Sequence, residues 1–239
     1  MGRPSLPTQD ILLDVYYNHL RKEIIIAHFK HGTSYLTDTI RDNAVWIYMK
    51  ANSEKLGIED LGHDKLQFMQ PRYDDYKKFI TYRSVEESFA SAFCYEMRTG
   101  LASFVVDENR MPEYTEAMIR KFIDMAGGVQ PMLDLFVNRV IHSNGTLMSV
   151  FYAKVFPKVI PNILEYVDAI IPVKDLTDFF EERDVPIPNK IANATPSRVL
   201  TVVKKVFDEL GVNDILKELV PEQFDYKEKL LQKPLYNTI

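Results

Sequence analysis

His28 and His31 stand three residues apart, a spacing that sets two imidazoles on one helix face and offers half of a metal-binding set. The remaining ligands would have to come from His19, Glu23 or the Asp74-Asp75 pair. Metal-holding helical bundles carry Glu-x-x-His on their inner faces, and that string does not occur. The two histidines are therefore read as structural, with no metal and no cofactor expected. Adjacent carboxylates at Asp74-Asp75, Glu86-Glu87 and Glu181-Glu182 suggest paired acid–base chemistry at first sight. Sequence neighbours on a helix point about 100° apart, however, so these are read as solvated charges and caps. Asp107-Glu108-Asn109 opens like a calcium loop, but Pro112 occupies the position where such a loop needs glycine.

The candidate nucleophile reads the same way. Cys94 is the single cysteine and lies in the apolar run Phe93-Cys94-Tyr95, which marks a buried, inert thiol and excludes an internal disulfide. Strings for dinucleotide, phosphate-loop, serine-hydrolase, dithiol and zinc-protease sites are missing. No catalytic residue is assigned, and a non-enzymatic protein is expected. A catalytic set gathered from distant positions would leave no local string, which keeps a helical-bundle metal or cofactor enzyme as the second alternative.

Composition narrows the classes further. With 46% hydrophobic and 26% charged residues over 239 positions, the chain can bury a sizeable core and is too apolar to be disordered. A formal charge of −5, with Lys77-Lys78 and Lys204-Lys205 as isolated basic pairs, argues against nucleic acid as the main ligand. No stretch reaches the roughly 18 apolar residues of a membrane span, and no signal peptide opens the sequence, so the expected location is intracellular or within a virion, and not secreted.

The elements that would position these residues are read as helices. Thr8 to His31 shows Ile11, Leu12, Val15, Tyr16, Leu20 and Ile24 at three- and four-residue steps, with Gly32 as its stop. Thr37 to Ala51 follows as a partner helix, and the pair forms an N-terminal helix-turn-helix-like hairpin. From Asn52 to Arg83 the period weakens into loops and short helices. Ser84-Val85-Glu86-Glu87 is a capping box that starts a helix ending at Gly100. Further helices are expected over Glu113 to Ala126, closed by Gly127-Gly128, over Asp175 to Arg183, and from Thr195-Pro196 to Gly211, with a short one from Asn213. Leu133 to Ile141 reads as helix, with a small β-hairpin around Asn144-Gly145 as the alternative.

These elements predict a mainly α, single compact multi-helix domain over 1–239, with irregular loops and terminal arms at about 1–7 and 221–239. Pro4 and Pro234 pre-set extended backbone in the arms, and Arg3, Pro4, Leu235 and Tyr236 are the residues expected to contact a partner. A helical core with two docking arms suits a structural subunit of a large assembly, most concretely an oligomeric phage or virus connector of the head-tail or neck. Homo-oligomers and neighbouring subunits are the expected partners. The alternative is a DNA-binding or DNA-packaging protein using the N-terminal hairpin, although Met1 to Lys50 is nearly balanced in charge.

Overall fold

Two adjacent runs, Leu13-Asp14-Val15-Tyr16-Tyr17-Asn18 and Glu23-Ile24-Ile25-Ile26-Ala27-His28, are rich in β-branched and aromatic residues and form an antiparallel hairpin. The register pairs Asn18 with Glu23, which leaves His19 to Lys22 as the turn. Asn18 accepts the Arg21 amide at 3.0 Å through Oδ1, and Lys22 takes a φ of 52°. The computed structural model describes residues 13–28, 31–40, 46–48, 69–99, 116–138, 163–188 and 197–239.

Along the chain the strands are β1 (Leu13–Asn18), β2 (Glu23–His28), β3 (Trp46–Tyr48), β4 (Lys77–Tyr82) and β5 (Ala169–Pro172). The helices are α1 (Thr33–Ile40), α2 (Val85–Thr99), α3 (Glu116–Met125), α4 (Val129–Asn138), α5 (Ile163–Tyr166), α6 (Leu176–Glu181), α7 (Ser197–Glu209), α8 (Val212–Leu219) and α9 (Pro221–Leu230). They fall into two compact units, one within 1–83, 157–192 and 226–239, the other within 84–156 and 193–225.

The first unit is built on a five-stranded mixed sheet in the order β3-β1-β2-β4-β5, with β2, β4 and β5 parallel and the β1 pairings antiparallel. Strand alternation sends Val15, Tyr17, Ile24, Ile26, Ile80 and Ile170 to one face, where Ile163, Val167, Tyr226 and Leu230 cover them. Tyr16, Ile25, Ala27, Phe79 and Ile171 go to the other face, under Leu36, Phe179, Phe180 and Tyr236. Helical elements therefore lie on both faces.

The expectation of a mainly α-helical domain is overturned by this sheet; the fold is mixed α/β. The reason lies in β2, which is buried along its whole length because both faces of the sheet are covered. Its middle, Ile24 to Ala27, is a continuous apolar run whose side chains fit a helical step as easily as a two-residue one. The described part of the expected helix from Thr8 to His31 is the β1–β2 hairpin, so the helical pair underlying the DNA-binding alternative is not formed by these residues. In place of one helix over Thr37 to Ala51, α1 covers Thr33–Ile40 and Trp46–Tyr48 is a strand. The hairpin considered at Asn144 lies outside the described residues.

The described residues of the second unit are helical, as the period suggested. Ser84 Oγ accepts the Glu87 amide at 3.2 Å and starts α2, while Gly127 and Gly128 close α3 at positive φ. Phe89 of α2 stacks on Phe207 of α7 at 5.4 Å, Phe93 meets Phe207 edge to face at 5.0 Å and Phe122 of α3 at 5.1 Å, and Cys94 is buried in the same cluster.

Candidate functional site

His28 is the last residue of β2, and its backbone carbonyl accepts the amide of His31 at 3.0 Å, which turns the chain back over the strand end. Gly32 follows at φ +85°, and a Cβ there would lie 2.6 Å from Leu176 Cδ1, so only glycine lets the turn pack this tightly before α1. In parallel register beside β2, β4 ends at Thr81 and Tyr82. The connection from β2 leads through α1 to β3 at one edge of the sheet, and the chain leaving β4 returns as β5 at the other edge. Oppositely directed connections from adjacent parallel strands open a crevice at their carboxyl ends, the usual place for ligands in such sheets.

Helix α9 adds the remaining groups. Gln223, Tyr226, Lys227 and Leu230 form its buried stripe at helical spacing. The Tyr226 hydroxyl lies 3.1 Å from His28 Nε2, and Lys227 Nζ lies 3.0 Å from His31 Nε2 and 3.3 Å from Nδ1. His31 Nδ1 is 3.2 Å from the Thr81 carbonyl, which can only accept, so the proton of the neutral ring sits on Nδ1. His31 Nε2 is then a lone-pair acceptor for Lys227. The two imidazoles meet edge to face at 5.5 Å, and the Lys227 ammonium lies 5.6 Å from the Tyr82 ring centroid.

Burial governs the electrostatics. It pushes Lys227 down to about 7, with Arg83, another cation, acting in the same direction. Burial first, and then the charge of Lys227, bring His28 down to about 3. His31 is held well below its ordinary value by burial, Lys227, His28 and Arg83, against a smaller opposite pull from the Thr81 carbonyl. The Tyr226 hydroxyl is raised by burial and stays protonated. His28 Nδ1 is a buried nitrogen with no hydrogen-bond partner. The result is a buried amine against a neutral imidazole, with a protonated tyrosine hydroxyl and the unbonded His28 Nδ1 beside it.

The histidines singled out by their spacing are thus brought together, at a strand end rather than on a helix face. Among the described residues, no group of three or more His, Cys, Asp and Glu side chains is gathered as a metal set, nor is any helix there long and apolar enough to cross a membrane. Of the expected partner contacts, Leu235 is 42% exposed, Tyr236 is packed against Phe179 inside the first unit, and Arg3 and Pro4 lie outside the described residues. Lys227 and Tyr226 were missed, although the stripe they share with Gln223 and Leu230 was their signal. Comparison with known proteins gives no match: no family model fits the chain, and no curated protein or solved structure aligns significantly with it.

Proposed function

We propose that the first unit binds a small anion, a carboxylate or phosphate monoester, at the carboxyl ends of β2 and β4. One observation carries the reading: Lys227 is buried, yet its hydrogen-bond partner is a neutral imidazole and the charge acting on it is the cation Arg83. A buried amine lacking a carboxylate partner is costly to maintain, and an entering anion supplies the missing counter-charge. The diverging connections of β2 and β4 place that charge where such sheets hold ligands. Calorimetric titration with inorganic phosphate and with acetate, against a constant chloride background, tests the idea. Saturable binding that raises the melting temperature and is lost in Lys227→Met is expected; equal behaviour of the two proteins would remove the proposal.

Membership of a larger assembly, of the phage or virus connector kind, is the second reading. It is supported by Leu231, Leu235 and Ile239, three apolar side chains 42–55% exposed near the end of the sequence. Native mass spectrometry of the wild type and of a Leu231→Asp, Leu235→Asp double variant checks it. An oligomer that the charges dissociate is expected, and a wild-type monomer under all conditions would count against a homo-oligomeric subunit.

A further inference from the structure

We propose that Lys227 is an imine-forming lysine whose amine condenses with the carbonyl of a small 2-oxo acid, His31 Nε2 serving as the base. The inference rests on the anion-site reading, since the carboxylate of the oxo acid is the anion the cluster would hold. Three features of the geometry support it. Lys227 Nζ is 3.0 Å from a ring nitrogen that carries a lone pair, because the proton of His31 is committed to the Thr81 carbonyl through Nδ1. Among the described residues, no carboxylate takes part in that contact to fix the amine as an ammonium. The neighbouring imidazole of His28 holds an unpartnered buried Nδ1, and its Nε2 meets the Tyr226 hydroxyl, so polar groups for a carbonyl oxygen stand within one ring's width. Burial favours the uncharged amine, which is the nucleophile.

The chemistry closes on these groups. The Nζ lone pair attacks the carbonyl carbon and the C=O π pair moves to oxygen. Nitrogen releases one proton to His31 Nε2, which returns it to that oxygen and gives the carbinolamine. His31 Nε2 then takes the second proton from nitrogen and delivers it to the departing hydroxyl as the C=N bond forms and the C–O bond breaks, so that one amine and one carbonyl yield one imine and one water. No oxidant or reductant is consumed.

Reductive trapping tests the step in the full chain at pH 7.5. Glyoxylate is added with sodium cyanoborohydride, and acetaldehyde, which lacks the carboxylate, is run in parallel; modified lysines are mapped by peptide mass spectrometry. Lys227 should be labelled by glyoxylate at least about tenfold faster than the exposed Lys22 and Lys205, whose ion pairs with Asp75 and Glu116 keep them protonated. Labelling at this site should vanish in Lys227→Arg. His31→Gln, if circular dichroism shows it folded, should slow labelling and shift its pH profile; the wild-type result does not depend on that variant. Equal labelling of Lys227 by both aldehydes would keep the imine and remove the anion site. Glyoxylate that raises the melting temperature but leaves Lys227 unmodified would overturn the imine and keep the anion site. Failure to stabilise, with Lys227 no faster than the exposed lysines, would remove both.

Discussion

At the scale of single residues, Lys227 sets two opposed costs against each other. A buried ammonium without a carboxylate costs several kcal/mol, whereas removing the amine takes one hydrogen-bond partner from His31 Nε2 at roughly 1–3 kcal/mol. Lys227→Met should therefore stabilise the fold by about 1–3 kcal/mol at pH 6, where the lysine must carry its charge inside, as read by urea denaturation. The pH dependence follows from the same shifts. Between its unfolded value of 10.5 and about 7, Lys227 binds its proton in the unfolded chain before it does in the native one, so stability falls as pH is lowered through that window. His28 acts likewise between 6.5 and about 3. The wild type should be most stable on the alkaline side, and the advantage of Lys227→Met should disappear above about pH 10.5. An advantage that stays constant with pH would mean that lysine charge is not its source.

At the scale of elements, the β2–α1 turn packs Gly32 against Leu176 of α6, and Arg183, just past α6, ties that helix to the start of β2. Gly32→Ala would force a β-carbon to 2.6 Å from Leu176 at positive φ, and about 1–3 kcal/mol of stability should be lost. Glu23, at the start of β2, receives Arg183 Nε at 3.1 Å on both carboxylate oxygens, and the guanidinium lies 3.6 Å from the Phe179 ring centroid. Both side chains are about nine-tenths buried. Glu23→Gln leaves the arginine only the half-exposed Glu182 carboxylate at 3.7 Å as a counter-charge, and a loss of roughly 2–4 kcal/mol in denaturant titration is expected. Legibility in the sequence varied with how local the determinants are. The Ser84 cap, Gly127-Gly128 and the Val199-Val203-Val206-Phe207 stripe specify their helices within a few residues and were readable. The sheet was not, because Ile24 to Ala27 owe their strand to partners as distant as Phe79 and Ile80, which a single window does not contain. Of the site, the His28–His31 spacing was visible, but Lys227 is about 200 positions away and is brought there by the fold.

At the scale of the whole molecule, the end of the sequence is where packing and assembly compete for the same residues. Pro234 leaves its carbonyl to accept the Ile170 amide at 2.9 Å, so that Leu235 lies beside the β5 edge as a parallel bridge. The next residue, Tyr236, is buried with its ring 5.2 Å from Phe179. The 233–239 segment therefore caps the β5 edge at one bridge, and Leu231, Leu235 and Ile239 remain outward. Leu235 is extended and a 3-10 turn starts at Tyr236, so the tyrosine is turned inward while the leucine before it stays half exposed. Tyr236→Ala should cost about 3–5 kcal/mol, as for other buried aromatic truncations, whereas Leu235→Ala should change stability by less than about 1 kcal/mol. If the assembly reading holds, the order reverses for association: Leu235→Ala weakens the oligomer seen by native mass spectrometry while the monomer melts almost unchanged. Deleting 233–239 should lower both, since the strand edge and the outward leucine go together. A deletion that leaves the melting temperature intact would show that this segment is ordered by a partner rather than by its own sheet.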